Sequence, residues 1–149
     1  IFTPAFITMY MCRQSIRLAV VDKFRHLAPD GEIKSISDIY ELIGNKIDRK
    51  HANELINSLK ICDPAVGSGH FLVSALNEII AIKSELNILM DESGKTLRDY
   101  EIEIVNDELI ITDENGDIVG YNPENIESNR LQKTLFQEKQ TNRELFVWG

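Results

Sequence analysis

The sequence is short of cysteine, histidine and positive charge, and each shortage removes a class of function. Only two cysteines occur, Cys12 and Cys62, both in apolar surroundings. They read as buried free thiols in a reducing cytosol, which argues against a disulfide-stapled secreted domain. His26, His51 and His70 are isolated, and no Cys/His cluster has metal-ligand spacing, so no metal is expected. No apolar run nears the ~18 residues that a membrane helix needs, and no signal-peptide pattern is present. A cytoplasmic chain without a membrane partner is the expectation. The formal net charge is −8, with most of the acidity in the second half. That sign is wrong for a chain that grips nucleic-acid phosphates by itself.

What remains is enough for one ordinary core: 149 residues, 43% of them apolar. The most informative stretch is Asp63-Pro64-Ala65-Val66-Gly67-Ser68-Gly69-His70-Phe71-Leu72. It follows the apolar run Leu59-Lys60-Ile61-Cys62 and precedes a helical pattern from Val73 to Ile80. Strand, glycine turn and helix together bring a ligand against bare backbone at a helix N-terminus. Gly67 and Gly69 permit that approach, and Asp63 at the strand's end can face a cationic group of the same ligand. Two phosphate readings fail. A dinucleotide fingerprint needs a glycine where Leu72 stands, and a P-loop needs Lys-Ser or Lys-Thr where His70-Phe71 follow Gly69. The bland alternative is a glycine turn that only joins strand to helix.

The run resembles the first S-adenosylmethionine-binding motif of amino-methylating DNA methyltransferases, Asp-Pro-(Ala)-x-Gly-Ser-Gly-x-Phe. Asp63, Pro64, Ala65, Gly67, Ser68, Gly69 and Phe71 match it. Near the start, Phe2-Thr3-Pro4 followed by Ile7 is similar to the aromatic-Thr-Pro motif that precedes the glycine loop in γ-ordered adenine methyltransferases. Alone, Thr3-Pro4 is an ordinary helix start. The resemblance implies S-adenosylmethionine as cofactor and methyl transfer to adenine N6 of DNA, in a restriction-modification setting. It implies Asp63 near the methionine ammonium group, close backbone approach at Gly67 and Gly69, and Phe2, Thr3 and Pro4 walling the methionine end. Ser68 and Phe71 would shape the turn and pack the helix.

The expected fold is α/β and mainly helical. It comprises N-terminal helices, the first strand-loop-helix of a Rossmann-like methyltransferase fold, and a small antiparallel β insertion. Residues 1–58 form the helical region with the Thr-Pro motif, and 59–90 the cofactor-binding strand-loop-helix. Residues 99–121 form the hairpin insertion, and 122–149 a helix and truncated strand. A long helix is predicted over 4–27, with Phe6, Tyr10, Ile16 (or Arg13), Val20 and Phe24 on one face, widened by Leu18, Val21 and Leu27; Pro29-Asp30-Gly31 ends it. Arg13 and Arg17, four apart, read as a solvated stripe or, less simply, a phosphate contact. Ser35 or Ser37 caps a short helix that stops near Gly44. Asp48 caps the next, with Ala52, Leu55, Ile56 and Leu59 inward and Lys50, Glu54 and Asn57 outward. A helix from about 70 to 90 turns Leu72, Leu76, Ile79, Ile80 and Leu86 inward. Three short antiparallel strands fit 99–105, 108–112 and 117–121, with turns at Asn106-Asp107 and Asn115-Gly116. Their acidic outward positions read most simply as a solvated face. Residues 123–144 read as helix, and Leu145-Phe146-Val147-Trp148 as the start of a strand.

The pattern breaks after that. The family places a ribose-binding acid at the end of the next strand, and 145–148 carries none. Its Asn-Pro-Pro-(aromatic) or Asp-Pro-Pro-(aromatic) motif, which holds a flipped adenine, is missing, so no catalytic residue is assigned. Asn122-Pro123-Glu124-Asn125 lacks the second proline and the aromatic, and suits a turn before a helix. The chain opens on Ile1 and reads as an excised piece. Losing a charged partner worth ~1.5–3 kcal/mol should weaken cofactor binding by roughly ten- to a hundred-fold. Weak binding and no turnover are expected. DNA would be contacted through parts outside this chain, and the strand at 59–62 risks having no parallel neighbour, with self-association as a remedy. A scaffold derived from a methyltransferase is the competing reading, and a methyltransferase acting on RNA or protein amides a third.

Overall fold

The computed structural model describes residues 5–28, 33–62, 70–90, 94–106, 108–120, 124 and 146–148. Helix α1 runs over Ala5–Phe24 and tightens into a 3-10 turn at Arg25–Leu27, where the amide of Ala28 closes on the carbonyl of Arg25. Its buried side chains are Cys12, Ile16, Val20, Val21 and Phe24, a stripe of three- and four-residue steps. Two residues assigned to that face lie off it. Tyr10 is 66% exposed and Leu18 57% exposed. Leu18 lies two residues from both Ile16 and Val20, so it points nearly opposite to them on a helix of 3.6 residues per turn. The side chain of Phe6 lies outside the described residues.

Helix α2 spans Ile36–Leu42 and α3 spans Arg49–Asn57. Of the two serines weighed for the α2 cap, Ser35 holds the position. The Asp38 carboxylate accepts from the amides of Lys34 at 2.9 Å and Ser35 at 3.1 Å, and those bonds hold it below its ordinary acidity range. Gly44 ends this segment with φ +92°, a conformation that side chains other than glycine seldom adopt. Asp48 caps α3 as expected, its side chain accepting from the amide of His51 at 2.7 Å. Ala52 and Ile56 are buried and Leu55 packs against the same core. Asn57, expected outward, is half-buried instead.

Strand β1, Ile61–Cys62, pairs in parallel with β4, Phe146–Trp148, in the register Ile61 to Phe146 and Cys62 to Trp148. The strand expected to risk having no parallel neighbour therefore has one within the chain. Parallel partners need a long crossover, and the segment between them supplies it. Helix α4, His70–Glu85, is the first element of that crossover. It stops five residues short of the expected end because Asn87 adopts φ +55°. The amide of Asn87 bonds the carbonyl of Ser84 and that of Ile88 bonds Lys83, which is the Schellman closure with asparagine in place of glycine.

The hairpin was legible in nearly full detail. Strands β2, Tyr100–Val105, and β3, Glu108–Asp113, pair antiparallel with Val105 opposite Glu108, and Asn106 in their connection has φ +50°. The expected third strand shrinks to a single bridge between Thr112 and Ile118, beside the bond from Val119 to the carbonyl of Ile111. This sheet is separate from the parallel pair. Tyr100, Ile102, Leu109, Ile111 and Val119 pack against Ile80 and Leu89, while Glu101 and Glu103 face solvent. On its other side α4 joins the larger core through Ala75, Ile79 and Ile82, with Ile16, Val20 and Phe24 of α1 in the same cluster. Helix α4 thus lies between α1 and the hairpin. The helix expected over 123–144 lies outside the described residues, apart from a turn at Glu124.

Candidate functional site

The described residues flank the two sequence motifs without including most of their residues. Phe2, Thr3, Pro4, Asp63, Pro64, Ala65, Gly67, Ser68 and Gly69 lie outside them, as does Asn122-Pro123. Phe71 lies in the first turn of α4, and its side chain, like that of Cys62, is likewise outside the description. The frame itself is informative. Residues 63–69 connect the C-terminal end of β1 to the first residue of α4, in the strand-to-helix order required of a backbone-lined ligand turn. Residues 2–4 lead directly into Ala5, the first residue of α1.

Helices α1 and α4 run side by side in the same direction. Arg13 lies 3.9 Å from the Glu78 carboxylate. One turn further along α1, Arg17 donates from Nε to Oε1 of Glu78 at 2.8 Å and from Nη2 to Oε2 of Glu85 at 2.7 Å. Advance along α1 thus matches advance along α4. Ala5 precedes Arg13 by as many residues as His70 precedes Glu78. Both helices therefore begin at the same end of the pair, and the two motif segments, some sixty residues apart in sequence, both adjoin that end.

The cluster that sets this alignment was misread from sequence. Arg17 is not part of a solvated stripe but faces the carboxylates of α4 at one-fifth exposure, whereas Arg13, 55% exposed, keeps the solvated position and only approaches Glu78. Glu78 is 4% exposed, in the middle of a helix whose buried face is mainly apolar. A carboxylate so placed is costly unless a cation meets it, and Arg17 does so through a direct hydrogen bond. Burial opposes the charge of Arg17, but the bonds and charges of Glu85 and Glu78 outweigh it and hold the guanidinium above its ordinary pKa. The signal was present: Glu78 and Glu85 recur seven apart on one helix face, opposite basic residues four apart on the other.

A second buried polar group lies toward the other end of α4. Lys83 is fully buried, and its ammonium donates to Oδ1 of Asn57 at 2.8 Å. Burial lowers its pKa from the ordinary 10.5 to about 7. Nearby, Nδ2 of Asn53 donates to the carbonyls of Arg49 at 3.0 Å and Ile88 at 2.7 Å, tying α3 to the chain leaving α4. Oδ1 of Asn53 is buried without a hydrogen-bond partner. Among the described residues, no group of three His, Cys, Asp or Glu side chains is placed to hold a metal ion, and no helix is long and apolar enough to cross a membrane.

The chain is 36% identical over 100 residues, 61% of its length, to a putative type II restriction enzyme and methyltransferase of Methanocaldococcus jannaschii. It spans 8% of the length of that relative. This similarity gives the chain a restriction-modification, methyltransferase-related origin. No protein-family profile and no solved structure matches it.

Proposed function

We propose that the chain is the cofactor-binding part of a restriction-modification DNA methyltransferase that uses S-adenosylmethionine and methylates adenine N6. The observation that carries this reading is the parallel alignment of α1 and α4. It brings the starts of the two helices that follow Phe2-Thr3-Pro4 and Asp63-Pro64-Ala65-Val66-Gly67-Ser68-Gly69 to one end of the pair. A motif match can arise by chance; two matches whose flanking helices align end to end are harder to obtain by chance. The relative's name supports the methyltransferase class, and the adenine assignment rests on the motif order alone.

In this reading Asp63 meets the methionine ammonium group, and Gly67 and Gly69 admit the cofactor to bare backbone at the start of α4. Phe2, Thr3 and Pro4 wall the methionine end, while Ser68 and Phe71 shape the turn. Pro64 and Ala65 complete the bend out of β1, which belongs to the proposed Rossmann-like sheet with β4. Bound S-adenosylmethionine supplies an electrophilic methyl group. The residues of this chain bind and orient it, and the adenine-holding motif and the DNA surface belong to other parts of the parent enzyme.

A calorimetric titration with S-adenosylmethionine tests the assignment. Saturable binding is expected, and Asp63→Ala should abolish it while leaving the circular dichroism spectrum unchanged. No heat at millimolar ligand from demonstrably folded protein would overturn it and leave the scaffold reading.

A further inference from the structure

A second candidate binding site lies at the opposite end of α4. A cleft of about 440 Å³ is lined by Tyr40 and Ile43 at the end of α2, Arg49 at the start of α3, Leu86 and Asn87 just after α4, and Arg98 ahead of β2. Helix α4 has 16 residues and so measures about 24 Å, which separates this cleft from the glycine-loop end of the helix by its whole length. The volume falls in the range of small-molecule sites.

The charges in the cleft are unbalanced. The chain as a whole is acidic, yet none of these six residues is acidic and two are arginines. Among the described residues, neither guanidinium makes an ion pair or a hydrogen bond, in contrast to Arg13, Arg17 and Arg25. Two of the neighbouring acids are engaged elsewhere. Asp48 accepts from the amide of His51, and Glu85 pairs with Arg17. The Asn87 side chain adds an amide to the lining. Tyr40, Ile43 and Leu86 supply one aromatic and two aliphatic walls.

We infer that this cleft binds a nucleotide-sized phosphate monoester, with its phosphoryl oxygens on Arg49 and Arg98 and its ring against Tyr40. One guanidinium fork satisfies a carboxylate, whereas two forks and an amide match the three terminal oxygens of a phosphate monoester. Phosphate, not carboxylate, is therefore the better complement. A planar ring has a surface to stack on at Tyr40, which is half exposed.

The test is a chemical-shift titration of the intact chain with thymidine monophosphate, with thymidine and inorganic phosphate as comparison ligands and S-adenosylmethionine present throughout. Thymidine monophosphate should bind saturably below about 10 mM, more tightly than either comparison ligand, and move the amides of Asn87 and Arg98. Arg49→Ala and Arg98→Ala should each weaken it by roughly tenfold or more. Both side chains are exposed, so the spectra of the variants should otherwise match the parent. Absence of saturation, equal binding of thymidine, or binding unchanged by both substitutions would overturn the inference.

Discussion

Arg17 and Glu78 meet across the α1–α4 interface at 2.8 Å, the arginine one-fifth exposed and the carboxylate almost entirely enclosed. The bond is a constraint on register: the helices cannot slide past one another without stranding a buried charge.

Removing one partner should therefore cost more than removing both. Arg17→Leu is expected to destabilise the fold by roughly 3 kcal/mol, since Arg13 at 3.9 Å is a poor substitute. The double variant Arg17→Leu/Glu78→Leu should recover a substantial part of that loss. Denaturant melts of the two singles and the double give the coupling directly. A double variant no more stable than Arg17→Leu would mean that the pair does not behave as a buried unit. Under the proposed function, Arg17→Leu should also weaken S-adenosylmethionine binding.

Lys83 makes stability depend on pH in an unusual direction. Its folded pKa, about 7, lies below its ordinary 10.5, so between these values the unfolded chain holds more protons than the folded one. Stability should rise with pH across that window, at up to ~1.4 kcal/mol per pH unit from this residue. Below pH 7 both states are protonated and the full penalty applies. Chemical denaturation of the parent and of Lys83→Met at pH 7, 8 and 9 checks this, and the rise should be missing from the variant.

Core and surface positions on the helices should separate cleanly. Ile82→Ala removes a fully buried side chain and is expected to cost about 2–5 kcal/mol. Tyr10→Ala and Leu18→Ala should each stay within about 0.5 kcal/mol, because both side chains are more than half exposed. Thermal melts of the three variants distinguish this stripe from the one the bare periodicity suggests.

The cap at Asp48 offers a local test. Asp48→Ala frees the amide of His51 and should cost about 1 kcal/mol, while Asp48→Asn should lose only part of that. Equal melting temperatures for all three proteins would show that the cap contributes nothing.

These comparisons also show what the sequence could and could not disclose. The hairpin was readable because alternation in Tyr100–Val105 and the Asn106-Asp107 connection are local signals that agree with one another. The capped starts of α2 and α3 were readable for the same reason. Tyr10 and Leu18 were misplaced because an apolar helix with few polar interruptions offers several plausible stripes, and the choice among them is made by the partner helix. Lys83 and Glu78 were not recognised because each carries a charge that a single-helix reading sends outward. Asn57 waits on α3 for the former and Arg17 on α1 for the latter. The parallel neighbour of β1 was hidden by distance, since eighty-odd residues separate Ile61 from its partner Phe146. Of the candidate site, the order of strand β1 before helix α4 was legible, whereas the alignment of α1 beside α4 depended on ion pairs that periodicity does not disclose.

The position of α4 between α1 and the hairpin has a kinetic consequence. From Ile79 to Lys83 every side chain is buried, whichever way it points around the axis, so no edge of the helix can loosen while its neighbours stay folded. Amide protons along this stretch should exchange with solvent only when the whole molecule opens, later than those of the hairpin tip or the start of α2. The helix is then a fixed post.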